Sequence, residues 1–265
     1  MNDEETIEIL TPSAAMLPVL TGLRASLSRL GDTKTKSAPR VWDNIAFAET
    51  ASEIARFELA LQGFEEGSIP SDDTNTDNEI RHRLFTDFEI MSPEDLNERF
   101  CTLLDGAALS RQYRRIAETP AVARLMKDAM ALGWTGFNMV NVTLSEERTL
   151  RNRRMFTDYF KADFDWTRLR ALELSRAAAL IEYARHADMI SEEAALPYRQ
   201  RITAEALVRF ASWNALARAL LTARVFELLS TGPAETRNLT AKTEALLEGF
   251  LAGPWQAKAW PRCSG

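Results

Sequence analysis

The sequence has few of the residues that build disulfides and metal sites. It contains two cysteines, Cys101 and Cys263, and two histidines, His82 and His186, among 265 residues. The cysteines are far apart and form no CxxC pair, and neither histidine has a neighbour at metal-ligand spacing. We therefore expect reduced thiols, no metal site and no cofactor.

Long apolar runs and an excess of positive charge are also absent. No apolar stretch approaches the ~20 residues that cross a bilayer, and the opening residues MNDEETIEIL are acidic where a signal peptide is basic. The 32 basic and 38 acidic residues leave a formal net charge of −6, so nucleic acid and anionic membranes are not attracted. The sequence predicts a cytoplasmic protein that binds neither nucleic acid nor membrane.

Catalytic motifs are equally scarce. The chain has no GxSxG elbow, phosphate-binding P-loop, dinucleotide fingerprint or HExxH pair. Asp73, Asn75 and Asp77 match the start of a calcium loop, but Asn78 replaces the turn glycine and Leu84 the bidentate glutamate, so calcium is not expected. An enzyme is disfavoured but stays open, because distant helices can bring carboxylates together.

Helix start and stop signals, by contrast, are frequent. A Ser or Thr followed by Pro begins a helical pattern in TPSAAMLPVL, SPEDLNERFCTLLDG and TPAVARLMKDAMALG, and Gly ends the last two. Sustained alternation of apolar and polar residues is rare. We predict a mainly α fold, an irregular multi-helix orthogonal bundle whose C-terminal tail packs on the core.

One acidic segment divides the chain. Residues 65–98 hold eleven acidic residues against two arginines, a local charge of −9. Its centre, GSIPSDDTNTDNE, is rich in turn-forming residues. We therefore predict three segments, which are an N-terminal helical region (1–64), a flexible acidic connector (65–91) and a helical domain (92–265). The connector offers a candidate surface for a protein partner, formed by Asp72, Asp73, Asp77 and Glu79.

Charged residues interrupt the apolar faces of two predicted helices. Glu173 and Arg176 fall on the apolar arc of one helix, and Arg224 falls on that of another, which begins near Trp213. Because an unpaired buried charge is costly, we predict that all three charges meet between the two helices. Ser212 or Trp213 would lie nearby as hydrogen-bond donors.

Two interpretations of this cluster remain open. It can be a buried ionic cluster that sets the register of the helices. Alternatively, it can line a pocket in which Arg176 and Arg224 receive a carboxylate or phosphate, with Glu173 as a candidate general base. In the segment that follows the first of these helices, Ser191 can cap a new helix, which Pro197 is expected to bend or interrupt.

The C-terminus, FLAGPWQAKAWPR, raises a separate question. Trp255 and Trp260 can form an exposed stacking platform or a latch onto the core, and burial of the indoles favours the latch. Pro254 and Pro261 disfavour helix continuation. We therefore expect an extended tail that packs across the helices carrying Trp213 and Arg224 and closes over the ionic cluster.

Several of these motifs together resemble a bacterial family, the domain of unknown function 1266. The resemblance lies in LELSRAAALIEYARHADMISEEAAL, RFASWNALARALLTARVF and GPWQAKAWP and spans about 92–261. The matching positions are Glu173, Arg176, residues 190–194, Ser212, Trp213, Arg224, Pro254, Trp255 and Trp260. The chain departs from the family pattern at Ala107, Leu172, Asp188 and Ala223, where the family tends to have His, Trp, Gly and Gly. The resemblance implies no activity.

The preferred functional hypothesis is a non-catalytic, cytoplasmic bacterial protein-interaction module. One version is an immunity-like protein that neutralises a basic toxin or effector through its acidic surface. The alternative is an enzyme or small-ligand binder whose Arg/Glu cluster holds an anionic substrate. A deep cavity at the cluster would favour the alternative.

Overall fold

The computed structural model describes residues 14–32, 44–70, 74–106, 108–118, 144–160 and 166–261. Helices account for the regular structure of these residues, so the mainly α, multi-helix prediction is confirmed. Short 3-10 turns lie at Ala14–Met16, Glu65–Gly67 and Trp166–Leu169. The α-helices are α1 (Leu17–Asp32), α2 (Asn44–Leu61), α3 (Thr74–Phe88), α4 (Pro93–Gly106), α5 (Ala108–Glu118), α6 (Leu144–Phe160), α7 (Arg170–His186), α8 (Glu192–Arg209), α9 (Trp213–Leu228), α10 (Pro233–Ala252) and α11 (Pro254–Ala257).

Helix α7 is the centre of the fold. It packs against α2, α3, α4, α8 and α9, and its residues are buried except for Arg176, Arg185 and His186. A helix enclosed on all sides has no single core-facing arc, so the amphipathic description of this helix is wrong. Two of the exceptions end the helix, whereas Arg176 lies in its middle.

The N-terminal helices share the core of the later ones. Helix α2 packs against α7 and α8, and α1 packs against α9 and α10. One apolar cluster accordingly extends from Met16 to Trp260. Residues on both sides of the acidic segment are therefore buried against each other in a common core.

The acidic segment is largely helical. The flexible connector predicted over 65–91 is helix α3 over Thr74–Phe88. Ile80, Leu84 and Phe88 are spaced one turn apart and are buried, and the helix packs against α7. Burial of this apolar stripe outweighs the turn propensity of the polar residues around it. Asp72 and Asp73 lie outside the described residues.

Helix α8 continues through its proline. Ser191 caps the helix by accepting a hydrogen bond from the backbone N–H of Ala194 at 3.2 Å. Pro197 lies inside the helix, which extends to Arg209, so the expected interruption is wrong. Proline deprives the carbonyl of residue 193 of its partner, but Glu193 and Pro197 are both exposed. Water can satisfy that carbonyl, which makes the proline tolerable.

Candidate anion-binding cavity

The C-terminal tail packs on the core through its tryptophans. The Trp255 ring stacks on Trp213 with centroids 4.8 Å apart, and Trp260 meets Trp213 edge-on at 4.7 Å. Each of the three indole N–H groups donates to a backbone carbonyl, those of Lys258, Glu53 and Phe210 respectively for Trp213, Trp255 and Trp260. We call these three rings the tryptophan cluster. Its members are at most 5% exposed.

The path of the tail differs from the extended one expected. Pro254 begins the one-turn helix α11, since a proline fits the first position of a helix where no N–H partner is needed. The tail meets Trp213 at the start of α9. Arg224 lies roughly 16 Å further along the same helix, because 11 residues each rise about 1.5 Å. The tail therefore closes on the beginning of α9 and not over the arginine.

Ser212 and Trp213 take structural positions. The Ser212 hydroxyl accepts a hydrogen bond from the Ala215 backbone N–H at 3.2 Å and so caps α9. The Trp213 indole donates to the carbonyl of Lys258 at 2.9 Å. Both groups are engaged at the N-terminal end of α9, and neither joins the arginines.

Glu173 forms an ion pair with Arg170, and not with Arg176 or Arg224 as the sequence predicted. Its carboxylate binds Arg170 at 2.9 Å and accepts the Leu109 backbone N–H at 3.3 Å. The two side chains of this pair are 7% and 6% exposed. Burial raises the pKa of Glu173, and the charge of Arg170 opposes that rise. A carboxylate enclosed by these partners is not positioned to act as a general base on a substrate held by Arg176 and Arg224.

Arg176 and Arg224 do converge, but on Glu227. Arg176 Nη2 lies 2.7 Å from Glu227 Oε1, and Arg224 Nη1 binds the other oxygen of the same carboxylate. Desolvation acts to lower the pKa of Arg176, but nearby carboxylates, Glu227 foremost, raise it above its usual value. One carboxylate thus serves two guanidinium groups. The sequence contained a signal for this residue, since Glu227 follows Arg224 by three positions on a helix.

The two arginines open onto a cavity of about 450 Å³. Helices α2, α3, α4, α7 and α9 enclose it, and we call it the arginine cavity. This explains why Arg176 is the partly exposed residue in the middle of α7. The lining residues are Glu58, Leu61, Gln62, Arg83, Asp87, Phe88, Arg99, Leu103, Arg176 and Arg224.

Arg99 is the unpaired cation of this cavity. No residue described in the structure forms a hydrogen bond or ion pair with it, and its Nε is buried without a partner. The Nε of Arg224 is buried and unpartnered as well. A guanidinium has five N–H donors, and leaving buried donors unsatisfied costs about 1–3 kcal/mol per group. Because the two Nε atoms are buried, the donors open to an anion in the cavity are the terminal N–H groups of Arg99, which have no partner among the described residues.

Arg83 is held more firmly than Arg99. Its guanidinium binds Glu79 at 2.6 Å and the Gln62 side-chain oxygen at 3.2 Å. Glu79, which was predicted to belong to a partner surface, is thus engaged by Arg83, whereas Asp77 is exposed in the first turn of α3. The Gln62 amide in turn donates to Glu58 Oε1 at 3.1 Å. This network orients one wall of the cavity.

Charges on the apolar faces of helices also occur outside the two helices of Glu173, Arg176 and Arg224, at Arg99 and Glu58. Arg99 lies three residues after Leu96 and four before Leu103, on the apolar side of α4. Glu58 follows Ile54 by one turn, on the buried side of α2. The same signal that identified Arg176 is therefore present at both positions.

Neither a metal-binding group nor a membrane-spanning helix is found among the described residues. No group of three or more His, Cys, Asp or Glu side chains there is arranged to hold a metal ion. In the same residues, no helix combines the length and apolarity required to cross a membrane.

The chain belongs to the family described as Protein of unknown function (DUF1266), which matches residues 83–260. All four arginines of the cavity lie within the matched segment, and Arg83 is its first residue. No curated protein matches the chain, and no solved structure matches it.

Proposed function

We propose that the chain binds a small anionic ligand, one that carries a phosphate or carboxylate group, in the arginine cavity. The observation that carries the proposal is the unpaired guanidinium of Arg99, which faces the same cavity as Arg176 and Arg224. These latter two share the single carboxylate of Glu227. Two arginines of the cavity thus share one carboxylate, and Arg99 has none among the described residues.

A second polar cluster shows how a structural ionic network looks in the same chain. Arg199 Nε donates to Glu182 Oε1 at 3.0 Å, and Arg199 Nη1 binds Glu192. Arg185 lies 3.2 Å from Glu182 and 3.5 Å from Glu192, so two cations there share two carboxylates. In the arginine cavity, Arg176 and Arg224 share the single carboxylate of Glu227, and Arg99 has none among the described residues, which favours an exogenous anion over a purely structural role. Planar guanidinium forks suit a carboxylate or phosphate because both can accept two parallel hydrogen bonds.

The dimensions of the cavity also suit a small molecule. Ligand pockets typically enclose about 300–1,000 Å³ and combine apolar walls with a few polar groups. The arginine cavity, at about 450 Å³, has apolar walls from Leu61, Phe88 and Leu103. A ligand can therefore be partly desolvated there while its anionic group meets the arginines.

Calorimetric titration with inorganic phosphate and with citrate tests the proposal. At least one anion should bind the wild-type chain, and Arg99→Met should weaken that binding by about tenfold or more, which corresponds to the loss of ~1.4 kcal/mol. The matched control is Arg237→Met, because Arg237 is exposed on α10, away from the cavity. Equal affinities of the wild type and both variants would contradict the proposal.

A second proposal, the protein-interaction role, rests on exposed apolar side chains in the acidic segment. Phe85 is 54% and Met91 74% exposed, and the exposed acidic residues Asp87, Glu89 and Glu94 are close to them in the sequence. An apolar centre with an acidic surround suits a basic protein partner. The immunity-like function against a basic toxin or effector in a bacterial cytoplasm is one such case.

Affinity capture tests this second proposal. Phe85→Ser with Met91→Ser should remove a partner that the wild-type chain retains from native lysate. Val208→Ser is the matched control, since Val208 is 80% exposed on α8. The same proteins captured by wild type, double variant and control would speak against this surface.

A further inference from the structure

The arginine cavity contains hydrogen-bond acceptors as well as cations. Glu58 enters it from α2, Gln62 from the turn that follows α2, and Asp87 from α3. Helix α2 precedes the family-matched segment 83–260. The cations of the cavity therefore come from the matched segment, whereas two of its acceptors come from outside that segment.

Glu58 is held in place with acceptor capacity left over. It is 2% exposed and accepts hydrogen bonds from Ser175 Oγ at 2.7 Å and Gln62 Nε2 at 3.1 Å. An ionised carboxylate can accept about four hydrogen bonds, so two bonds do not saturate it. Its negative charge also contributes to the raised pKa of Arg176, which indicates that the acceptor and the cation are close.

Asp87 is a second acceptor of the same wall. It is exposed, and its Oδ1 accepts a hydrogen bond from the Thr86 hydroxyl at 3.1 Å. Its second carboxylate oxygen adds further acceptor capacity. An anion alone would leave the acceptors of Glu58 and Asp87 without new donors, and it would be repelled by their charge.

We infer that the ligand is a phosphate monoester of a polyol, in the chemical class of sugar phosphates. The inference rests on the anion-binding function proposed above. The arginines receive the phosphate, and Glu58 and Asp87 accept hydrogen bonds from hydroxyl groups. Arg83, Arg176 and Arg224 are paired with Glu79 and Glu227, which leaves Arg99 without a carboxylate among the described residues. A phosphate monoester, which carries a charge of about −1.5 to −2, supplies that counter-charge.

Other classes of anion satisfy the arginines and the two carboxylates of the cavity less completely. A dicarboxylate can balance the charge but offers no donor to Glu58 and Asp87. A zwitterionic amino acid offers an ammonium donor but brings no net negative charge. Hydroxyl groups, being neutral donors, satisfy the acceptors without reducing the attraction between the phosphate and the arginines.

The test compares hydroxylated phosphates with a phosphate that lacks hydroxyl groups. Calorimetry measures the affinities of glucose 6-phosphate, ribose 5-phosphate, glycerol 3-phosphate and methyl phosphate for the full chain. At least one hydroxylated probe should bind about tenfold more tightly than methyl phosphate, the ratio expected from one hydrogen bond to a charged group. Glu58→Gln should reduce this ratio to about twofold or less, and methyl phosphate should bind at least as tightly as to the wild type because a repelling charge is removed.

Two further variants guard against misfolding. Asp87→Asn alters the exposed acceptor and should also lower the ratio. Glu53→Gln is the matched control, because Glu53 is a buried glutamate of the same helix that does not line the cavity, and its ratio should equal that of the wild type. Circular dichroism melting curves establish that each variant is folded.

The outcomes separate this inference from the proposed function. Methyl phosphate binding as tightly as all hydroxylated probes, or a ratio that survives Glu58→Gln and Asp87→Asn, overturns the polyol inference and leaves anion binding intact. Citrate binding without binding of any phosphate also overturns the inference alone. Failure of every phosphate and of citrate to bind overturns both.

Discussion

The tryptophan cluster and the arginine cavity treat their polar groups in opposite ways. At the start of α9, three indole rings are buried and each N–H donates to a carbonyl. Further along the same helix, Arg224 shares a carboxylate with Arg176 and keeps a buried Nε without a partner. One helix thus connects a region whose polar groups are satisfied with a region whose polar groups are not.

The difference distinguishes a region whose contacts serve stability from the region that we propose binds a ligand. Burying a polar group without a partner is unfavourable, so a purely structural cluster satisfies its donors internally. A site that awaits a ligand keeps donors available and accepts the loss in stability. Substitutions in the tryptophan cluster should therefore mainly lower stability, whereas substitutions of the arginines should mainly weaken ligand binding.

The largest effect on stability is expected for Trp213→Ala. The substitution removes the ring that both Trp255 and Trp260 contact, and truncation of a buried aromatic ring typically costs about 3–5 kcal/mol. Urea unfolding followed by circular dichroism measures the change. Phe85→Ala, at a 54% exposed position, should cost much less, and equal losses at the two positions would remove the distinction.

A smaller loss is expected for Glu227→Gln. The substitution leaves Arg176 and Arg224 without their shared carboxylate, and unsatisfied groups of this kind cost about 1–3 kcal/mol. Anion affinity should rise because a competing negative charge is removed. Urea unfolding and phosphate titration test the two effects together, with Glu235→Gln on the exposed side of α10 as control. If Glu227→Gln lowered both the stability and the anion affinity, Arg176 and Arg224 would have a structural role and not a binding role.

Removal of a helix cap should have a smaller effect again. Ser212→Ala deletes the hydroxyl that caps α9 at the tryptophan cluster, with an expected cost of about 1 kcal/mol. Ser191→Ala deletes the equivalent cap of α8 and should cost about the same. A markedly greater cost at Ser212, measured by urea unfolding, would show that the tryptophan cluster depends on the exact start of α9.

The smallest effect on stability is expected for Arg99→Met without ligand. Because Arg99 has no partner in the described residues and its Nε is an unsatisfied buried donor, the substitution breaks no interaction, and the free energy of unfolding of the chain should rise by about 1 kcal/mol or less. Addition of the anion that binds should raise the melting temperature of the wild type but not that of the variant. A large loss of stability in the absence of ligand would reveal a structural role for Arg99.

The sequence predicted the helices better than the contacts of their side chains. Helix caps and prolines located the start of α4 and the cap of α8, because these signals act within a few residues. The position of Arg176 and Arg224 on apolar helix faces indicated that both charges lie inside the fold. The same pattern predicted that they pair with Glu173, whereas Glu173 binds Arg170 and the two arginines bind Glu227.

Two errors share one physical cause. Turn-forming residues predicted a flexible connector where α3 lies, and Pro197 predicted a bend or an interruption where α8 continues without interruption. Local preferences amount to less than about 1 kcal/mol for ordinary residues, and burial of an apolar stripe against α7 exceeds that in α3. In α8 the position of the proline on an exposed side removes most of its expected effect.

By itself, the sequence determined that the chain forms a mainly helical fold and that charged residues lie on apolar helix faces, because periodicity and capping are local properties. Only the tertiary structure decided which charges meet. Five helices from distant parts of the chain enclose the arginine cavity, and the register between them sets which guanidinium finds a carboxylate. Among the residues that the structure describes, that packing gives Arg99 no partner, a property that no short stretch of sequence contains.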